Sequence, residues 1–350
     1  MIGLRTRSLL RIARQTLVIL IITFALTEIT FRVYNHFHPS FVFPDTSYNR
    51  FRGKPNSADY DFHLNSKGFK DVAFAREKEA GVYRIVALGD SFAYGVVPYQ
   101  NNYLTLLEER LNLSARKTEI LNMGIVSTGP SDYLALLTAE GLELQPDMVL
   151  VSFFIGNDFK RDRKPRSLCS YSYACSFIRY LLVSRSYEGK IIHEPSVYDD
   201  NAPSMKDDNF TEIEMRTSEI YRKRNPNFDG DLEVAMKSLS GIKQICDERK
   251  IALVIVLIPD QVQVDQALQA RVLKLKEVNS KLEDFDFELP NRLLAAKLKQ
   301  QDIAFIDLLT EFGRVGRQTS LYKPRDTHWN IAGNRLAAEA IAGELVRVSR

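Results

Sequence analysis

Cysteine is scarce in this chain. Three residues in 350 are too few for a fold held by a disulfide framework. Cys169 and Cys175 lie close together in an irregular stretch, and Cys246 falls in an expected helix. The first two either pair in an oxidising compartment or remain two inert thiols. A charge of one sign is missing as well. The 47 Lys and Arg against 44 Asp and Glu leave a formal +3. No basic stripe with interleaved aromatics occurs, which argues against nucleic acid as a partner. Histidine is sparse, and His36, His38, His63 and His193 are scattered singly without ligand spacing, so no metal is expected. Glycine-rich phosphate cradles of the P-loop or dinucleotide type are absent, and no cofactor is expected. Internal repeats and low-complexity tracts are lacking too.

What the chain does have begins at its N-terminus. Arg5, Arg7, Arg11 and Arg14 precede an apolar run that extends from Gln15 to Phe31, broken by Glu28. That length is about the minimum for crossing a bilayer. The basic flank predicts a cytoplasmic N-terminus and an exported body, periplasmic or at the cell surface. A cleaved signal peptide is the competing reading, since Thr23-Phe24-Ala25 faintly resembles a small-x-small site. The continuing apolar residues favour an uncleaved signal anchor over 15–34, behind a basic tail at 1–14. A buried helix of a soluble protein fits poorly beside four arginines.

Residues 35–80 read as a juxtamembrane lead-in, aromatic and punctuated by Pro39, Pro44, Gly53, Pro55 and Gly68. From Tyr83 the pattern alternates strand and helix. Apolar runs at 83–89, 118–123, 147–154, 251–258 and 303–308 are strand candidates. Helical stretches lie at 103–113, 131–142, 231–248, 290–300 and 332–348. Buried strands separated by helices predict an α/β domain over 81–350 with a three-layer parallel sheet of about five strands. The roughly ninety residues between the third and fourth strands exceed what a crossover needs. They hold an insertion at about 159–230 that either covers the site or runs over the surface. A second, charged excursion, 261–288, leaves the same sheet edge.

Chemistry gathers where strands end. The run Arg84–Leu88 stops at Gly89-Asp90-Ser91-Phe92, delivering a serine to the carboxyl edge of the sheet, where open α/β sheets bind ligands. Asn122-Met123-Gly124-Ile125-Val126-Ser127-Thr128-Gly129 follows the second strand, and Ile155-Gly156-Asn157-Asp158 the third. Asp326-Thr327-His328-Trp329-Asn330 precedes the last helix. A serine, an imidazole and a carboxylate are the parts of an activated hydroxyl nucleophile. Asp90 and Asp158 have bland readings, tying down their turns. Trp329 and Tyr94 either shape a pocket or pack in the core.

These four blocks, in this order, resemble the SGNH (GDSL) hydrolase superfamily over about residues 82–345. The anchor, Asn65-Ser66-Lys67-Gly68-Phe69, Leu-Gly-Asp-Ser-Phe and Asp-Thr-His-Trp-Asn look more narrowly like membrane-anchored cell-envelope members. Some of those modify surface polysaccharides, as in alginate O-acetylation. The resemblance implies a flavodoxin-like α/β/α fold with Ser91 as nucleophile, His328 as base and Asp326 as its orienting acid. Only Thr327 separates acid from base, where many members have two residues. The oxyanion donors implied are the Ser91 N–H, the Asn157 side chain and a block-two N–H. The family's glycine falls on Ser127, with Gly124 as the fallback.

The expectation is a serine esterase that works through an acyl-Ser91 intermediate on O-acyl, especially O-acetyl, esters of a cell-envelope glycan or glycolipid. The same residues would serve an O-acyltransferase, with a membrane-bound acyl-transfer partner. A third reading is an inactive, anchored binding or assembly module.

Overall fold

Five near-continuously apolar runs become the five strands of one parallel sheet. The structure is a computed structural model that describes residues 2–38, 42–43, 48–113, 116–159, 168–187, 197–275 and 282–348. A short antiparallel hairpin, β1 (Ala58–Asp59) and β2 (Phe62–His63), precedes the sheet. The sheet strands are β3 (Tyr83–Leu88), β4 (Thr118–Asn122), β5 (Met148–Phe154), β6 (Ala252–Ile258) and β7 (Ala304–Asp307). Their spatial order is β4-β3-β5-β6-β7, all parallel. That is the flavodoxin-like 2-1-3-4-5 order, whose switch point lies between the first and third strands. The central strands β3, β5 and β6 are Val-, Ile- and Leu-rich and buried on both faces, as helices on both sides require.

The helices, in chain order, are α1 (Ile2–Phe37), α2 (Ser91–Tyr94), α3 (Tyr103–Leu111), α4 (Pro130–Ala139), α5 (Tyr173–Tyr187) and α6 (Asp207–Thr217). They continue as α7 (Phe228–Arg249), α8 (Gln261–Val264), α9 (Gln266–Leu275), α10 (Leu289–Gln300), α11 (Leu309–Val315) and α12 (Ile331–Val348). The strand and helix expectations are met to within a few residues. The reason is that each carries an apolar pattern at its own period. On α3, Leu104, Leu107 and Leu111 are buried, and Asn102 caps the helix by accepting from the Leu104 N–H at 2.8 Å. Such a cap is worth about 1 kcal/mol.

Two compact units divide the chain. One comprises Met1–Phe51 and Lys164–Glu188, the other Arg52–Arg163 and Gly189–Arg350. In the first, α1 holds a 28-residue apolar stretch, Leu10–Phe37, long enough to cross a membrane. The Cys169–Cys175 pair is joined as a disulfide in this unit, and Cys246 is free and buried in α7. Of the expected insertion, residues 160–167 and 188–196, including His193, lie outside the described residues, as do Pro39 and Pro44. The sheet and every expected catalytic residue belong to the second unit.

Candidate active site

The loop after β3 turns on a single carboxylate. Asp90 is fully buried and accepts the Phe92 N–H at 2.9 Å, capping the four-residue α2 and leaving Ser91 at its first position. Gly95 ends that helix at φ +81°, and a Cβ there would meet Asn102 Nδ2 at 2.2 Å. Asn102 in turn donates to the Ala93 and Tyr94 carbonyls. Gly89 is equally confined, since a Cβ would lie 2.7 Å from that of Ala93. The serine is therefore presented by a turn in which neighbouring side chains satisfy the backbone.

At the other end of the chain, Asp326-Thr327-His328 lies between β7 and α12. The Ser91 Oγ stands 2.8 Å from His328 Nε2. His328 Nδ1 is 2.6 Å from Asp326 Oδ1, which also accepts the His328 backbone N–H at 3.0 Å. The neutral imidazole that satisfies both ring contacts donates from Nδ1 and accepts the serine proton at Nε2. One-residue spacing thus works because a single carboxylate oxygen holds both the backbone and the ring of His328. Burial alone would raise the Asp326 carboxyl. The adjacent His328, its two hydrogen bonds and the Ser204 hydroxyl outweigh burial and hold it at about 2. The Phe92 ring lies 5.1 Å from the imidazole.

The loops after β4 and β5 complete the edge. Ser127 sits at φ +61°, the left-handed region that favours glycine. Gly124 is pinned differently, for its N–H already donates to Asn122 Oδ1 at 2.9 Å. Asn157 Oδ1 is buried without a hydrogen-bond partner among the described residues. Asp158 is fully buried and accepts from the Phe154 N–H and the Tyr133 hydroxyl. It ties down the turn, as Asp90 does. Trp329 is a core residue, edge-on to Phe92 and Tyr103.

Several supporting residues carried no signal that a sequence pattern could have picked out. Asp200 accepts the Tyr198 hydroxyl at 2.6 Å and the Ile331 N–H at 3.0 Å. The Ser204 N–H donates to the Pro324 carbonyl, and Lys323 Nζ lies 4.2 Å over the Tyr198 ring. The polar segment around 198–204 thereby brackets the loop that carries His328. The Asn65–Phe69 motif acts at one remove. Asn65 Oδ1 accepts the Lys67 and Phe69 N–H groups, which delivers Lys70 and Asp71 to the interior. Lys70 Nζ donates to the Gly95 and Val97 carbonyls and pairs with Asp59. Asp71 accepts the Asn122 N–H at 2.7 Å. Burial pushes the Asp71 carboxyl up to about 7, against the pull of the Asn122 and Val72 N–H groups and the Tyr99 hydroxyl. No group of three or more His, Cys, Asp or Glu with metal-holding geometry occurs among the described residues. A cavity of about 690 Å³, lined by residues of α6 and α9 including Arg216 and Arg271, lies away from this chemistry.

Comparison with known proteins bears on the same region. Residues 216–349 match a family model described as "SGNH hydrolase-like domain, acetyltransferase AlgX". The match includes Asp326 and His328 and begins after Ser91 and Asn157 in the chain. No curated protein matches the chain. Among solved structures, the acetyl xylan esterase AlAXEase aligns at 15% identity and TM-score 0.41, over 75% of this chain and 99% of its own. TesA aligns at 13% and 0.43, over 76% and 99%. A lipase/acylhydrolase from Enterococcus faecalis aligns at 14% and 0.41, over 75% and 95%. Over residues 216–349 the chain thus resembles an SGNH hydrolase-like domain of the AlgX kind.

Proposed function

We propose that the chain is a serine-dependent esterase acting through an acyl-Ser91 intermediate on O-acyl esters, chiefly O-acetyl, of a cell-envelope glycan or glycolipid. The observation that carries this reading is the unbroken chain from Ser91 Oγ to His328 to Asp326, at 2.8 and 2.6 Å. His328 Nε2 takes the serine proton as Oγ attacks the ester carbonyl. Asp326, charged across the physiological range, favours the imidazolium that forms. The oxyanion is received by the Ser91 N–H, the Asn157 amide and the Ser127 N–H. Left-handed φ at Ser127 is a backbone state that glycine favours, and the Asn157 Oδ1 has no hydrogen-bond partner among the described residues, which supports a role for its amide toward the intermediate. Gly124 is the weaker donor because its N–H is already engaged. The tetrahedral species then collapses as His328 returns the proton to the leaving sugar oxygen, and water attacks the acyl-serine with His328 again as base.

The second reading replaces that water with a sugar hydroxyl, giving an O-acetyltransferase. The family description, which names an acetyltransferase, favours it. In either case we read α1 as the anchor, with the basic N-terminus in the cytoplasm and the catalytic unit outside it.

The test is intact-mass detection of fluorophosphonate labelling on the full-length protein in detergent. Wild type should take one equivalent and Ser91→Ala none. Absence of labelling on folded wild type would sink serine catalysis and bring forward the binding-module reading. An aryl-acetate assay with added glycan acceptors then separates hydrolysis from transfer.

A further inference from the structure

A glutamate in the last third of an apolar helix demands a reason, and α5 supplies it. The Glu28 carboxylate accepts the Tyr173 and Ala174 N–H groups at 3.1 and 3.0 Å and the Ser172 hydroxyl at 2.9 Å. The two N–H groups are first-turn donors of α5 that otherwise lack partners. Arg32 pairs with Glu28, donates to the Tyr171 carbonyl and lies 4.7 Å over the Tyr173 ring. Phe31 packs on Phe177 at 4.8 Å. The Cys169–Cys175 bond closes the entry into α5. One helix is therefore clamped to the C-terminal end of the other through polar groups that satisfy one another, as a low-dielectric setting requires.

The remaining surface of α5 does not suit water. Ile178, Leu181 and Leu182 are 57, 43 and 64% exposed and share a face at i, i+3 and i+4 spacing. Exposed Arg179 and Tyr180 lie beside them, the pairing of cation and amphipathic ring found at membrane interfaces. On α1 the apolar exposure runs to the same end, through Leu26, Ile29 and Val33. A single outlying leucine would need no explanation, but exposed apolar faces on two clamped helices do.

We propose that α5 is a second membrane-seated element, lying in the bilayer interface against the C-terminal end of α1. This rests on the reading of α1 as a membrane anchor. The lipid surface is the occupant, and α5 thus serves anchorage instead of covering the site.

The experiment uses full-length protein reconstituted into phosphatidylcholine vesicles, with an environment-sensitive fluorophore placed by Leu182→Cys, Leu20→Cys or Leu113→Cys. All three side chains are exposed, and Cys246 is buried. The quencher is a nitroxide on the lipid acyl chain. Quenching at 182 within about twofold of that at 20, with little at 113, is the expected result. Quenching at 20 but not at 182 overturns the proposal and leaves the α5 face for a protein partner. No quenching at either position overturns the anchor reading together with the proposal.

Discussion

Gly124 and Tyr94 meet backbone to backbone: a Cβ on Gly124 would lie 2.3 Å from the Tyr94 nitrogen, and 2.6 Å from the Ala93 carbonyl carbon. The loop after β4 thus presses directly on the helix that carries Ser91. Backbone atoms cannot swing aside as a side chain does. Gly124→Ala should therefore cost about 1–3 kcal/mol and displace the nucleophile. Thermal unfolding and aryl-acetate turnover should fall together. Unchanged turnover would mean that this contact does not set the position of Ser91.

Asn157 offers the opposite case. Its buried Oδ1 has no partner among the described residues, so removing that oxygen breaks no hydrogen bond among them. Asn157→Ala should lower kcat by about 10²–10³ with the melting temperature nearly unchanged. A variant with full kcat would remove Asn157 from the oxyanion site.

Asp326 holds the imidazole by ring and backbone at once. Asp326→Asn keeps the shape but presents an amide to His328 Nδ1, which favours the wrong tautomer. Turnover should drop by roughly 10³–10⁴ at neutral pH, while fluorophosphonate labelling slows in parallel. A loss smaller than tenfold would assign the orientation of His328 to the surrounding loop instead.

Asp71 makes a prediction about pH. Its carboxyl ionises near 3.9 when unfolded and at about 7 when folded, because of burial. The native state therefore binds more protons between those values, and this group's contribution to stability falls as pH rises from about 4 to 7. Asp326 acts in a separate window. Its folded value of about 2 gives stability that is full above about pH 4 and lost as pH falls through 2. Asp71→Asn leaves the Asn122 N–H facing a poorer acceptor, so it should be less stable than wild type at pH 4. The gap should narrow by up to roughly 4 kcal/mol by pH 8, read by denaturant unfolding at the two pH values. A gap independent of pH would mean that Asp71 ionises normally.

Much of the fold was legible from pattern because the sheet is buried on both faces. The runs Tyr83–Leu88, Met148–Phe154 and Ala252–Ile258 cannot be surface elements, and their spacing leaves room for helices alone. The three strand-end blocks after β3, β4 and β5 were equally visible, since glycine and polar residues break an apolar run only where the chain must turn. Asp90 and Asp158 behave as read, each accepting a backbone N–H of its own turn. Left open by residue types, the state of Cys169 and Cys175 is a disulfide. Trp329, placed beside the base in sequence, proves to be core, because α12 and the loop before it turn its ring toward Phe92.

By itself the sequence determined the local quantities: strand and helix periods, the apolar anchor-length run, a serine and an asparagine each just after a strand, and an Asp-x-His before the last helix. Those depend on contacts a few residues long. Tertiary structure alone decided what joins distant segments. It set Ser91 against His328 across 237 positions and brought Asp200 and Ser204 to the catalytic loop. It also buried Lys70 and Asp71 under the nucleophile turn and matched Glu28 to the first turn of α5. Such pairings leave no period in the chain, because a single polar contact fixes one residue on each side and constrains none between.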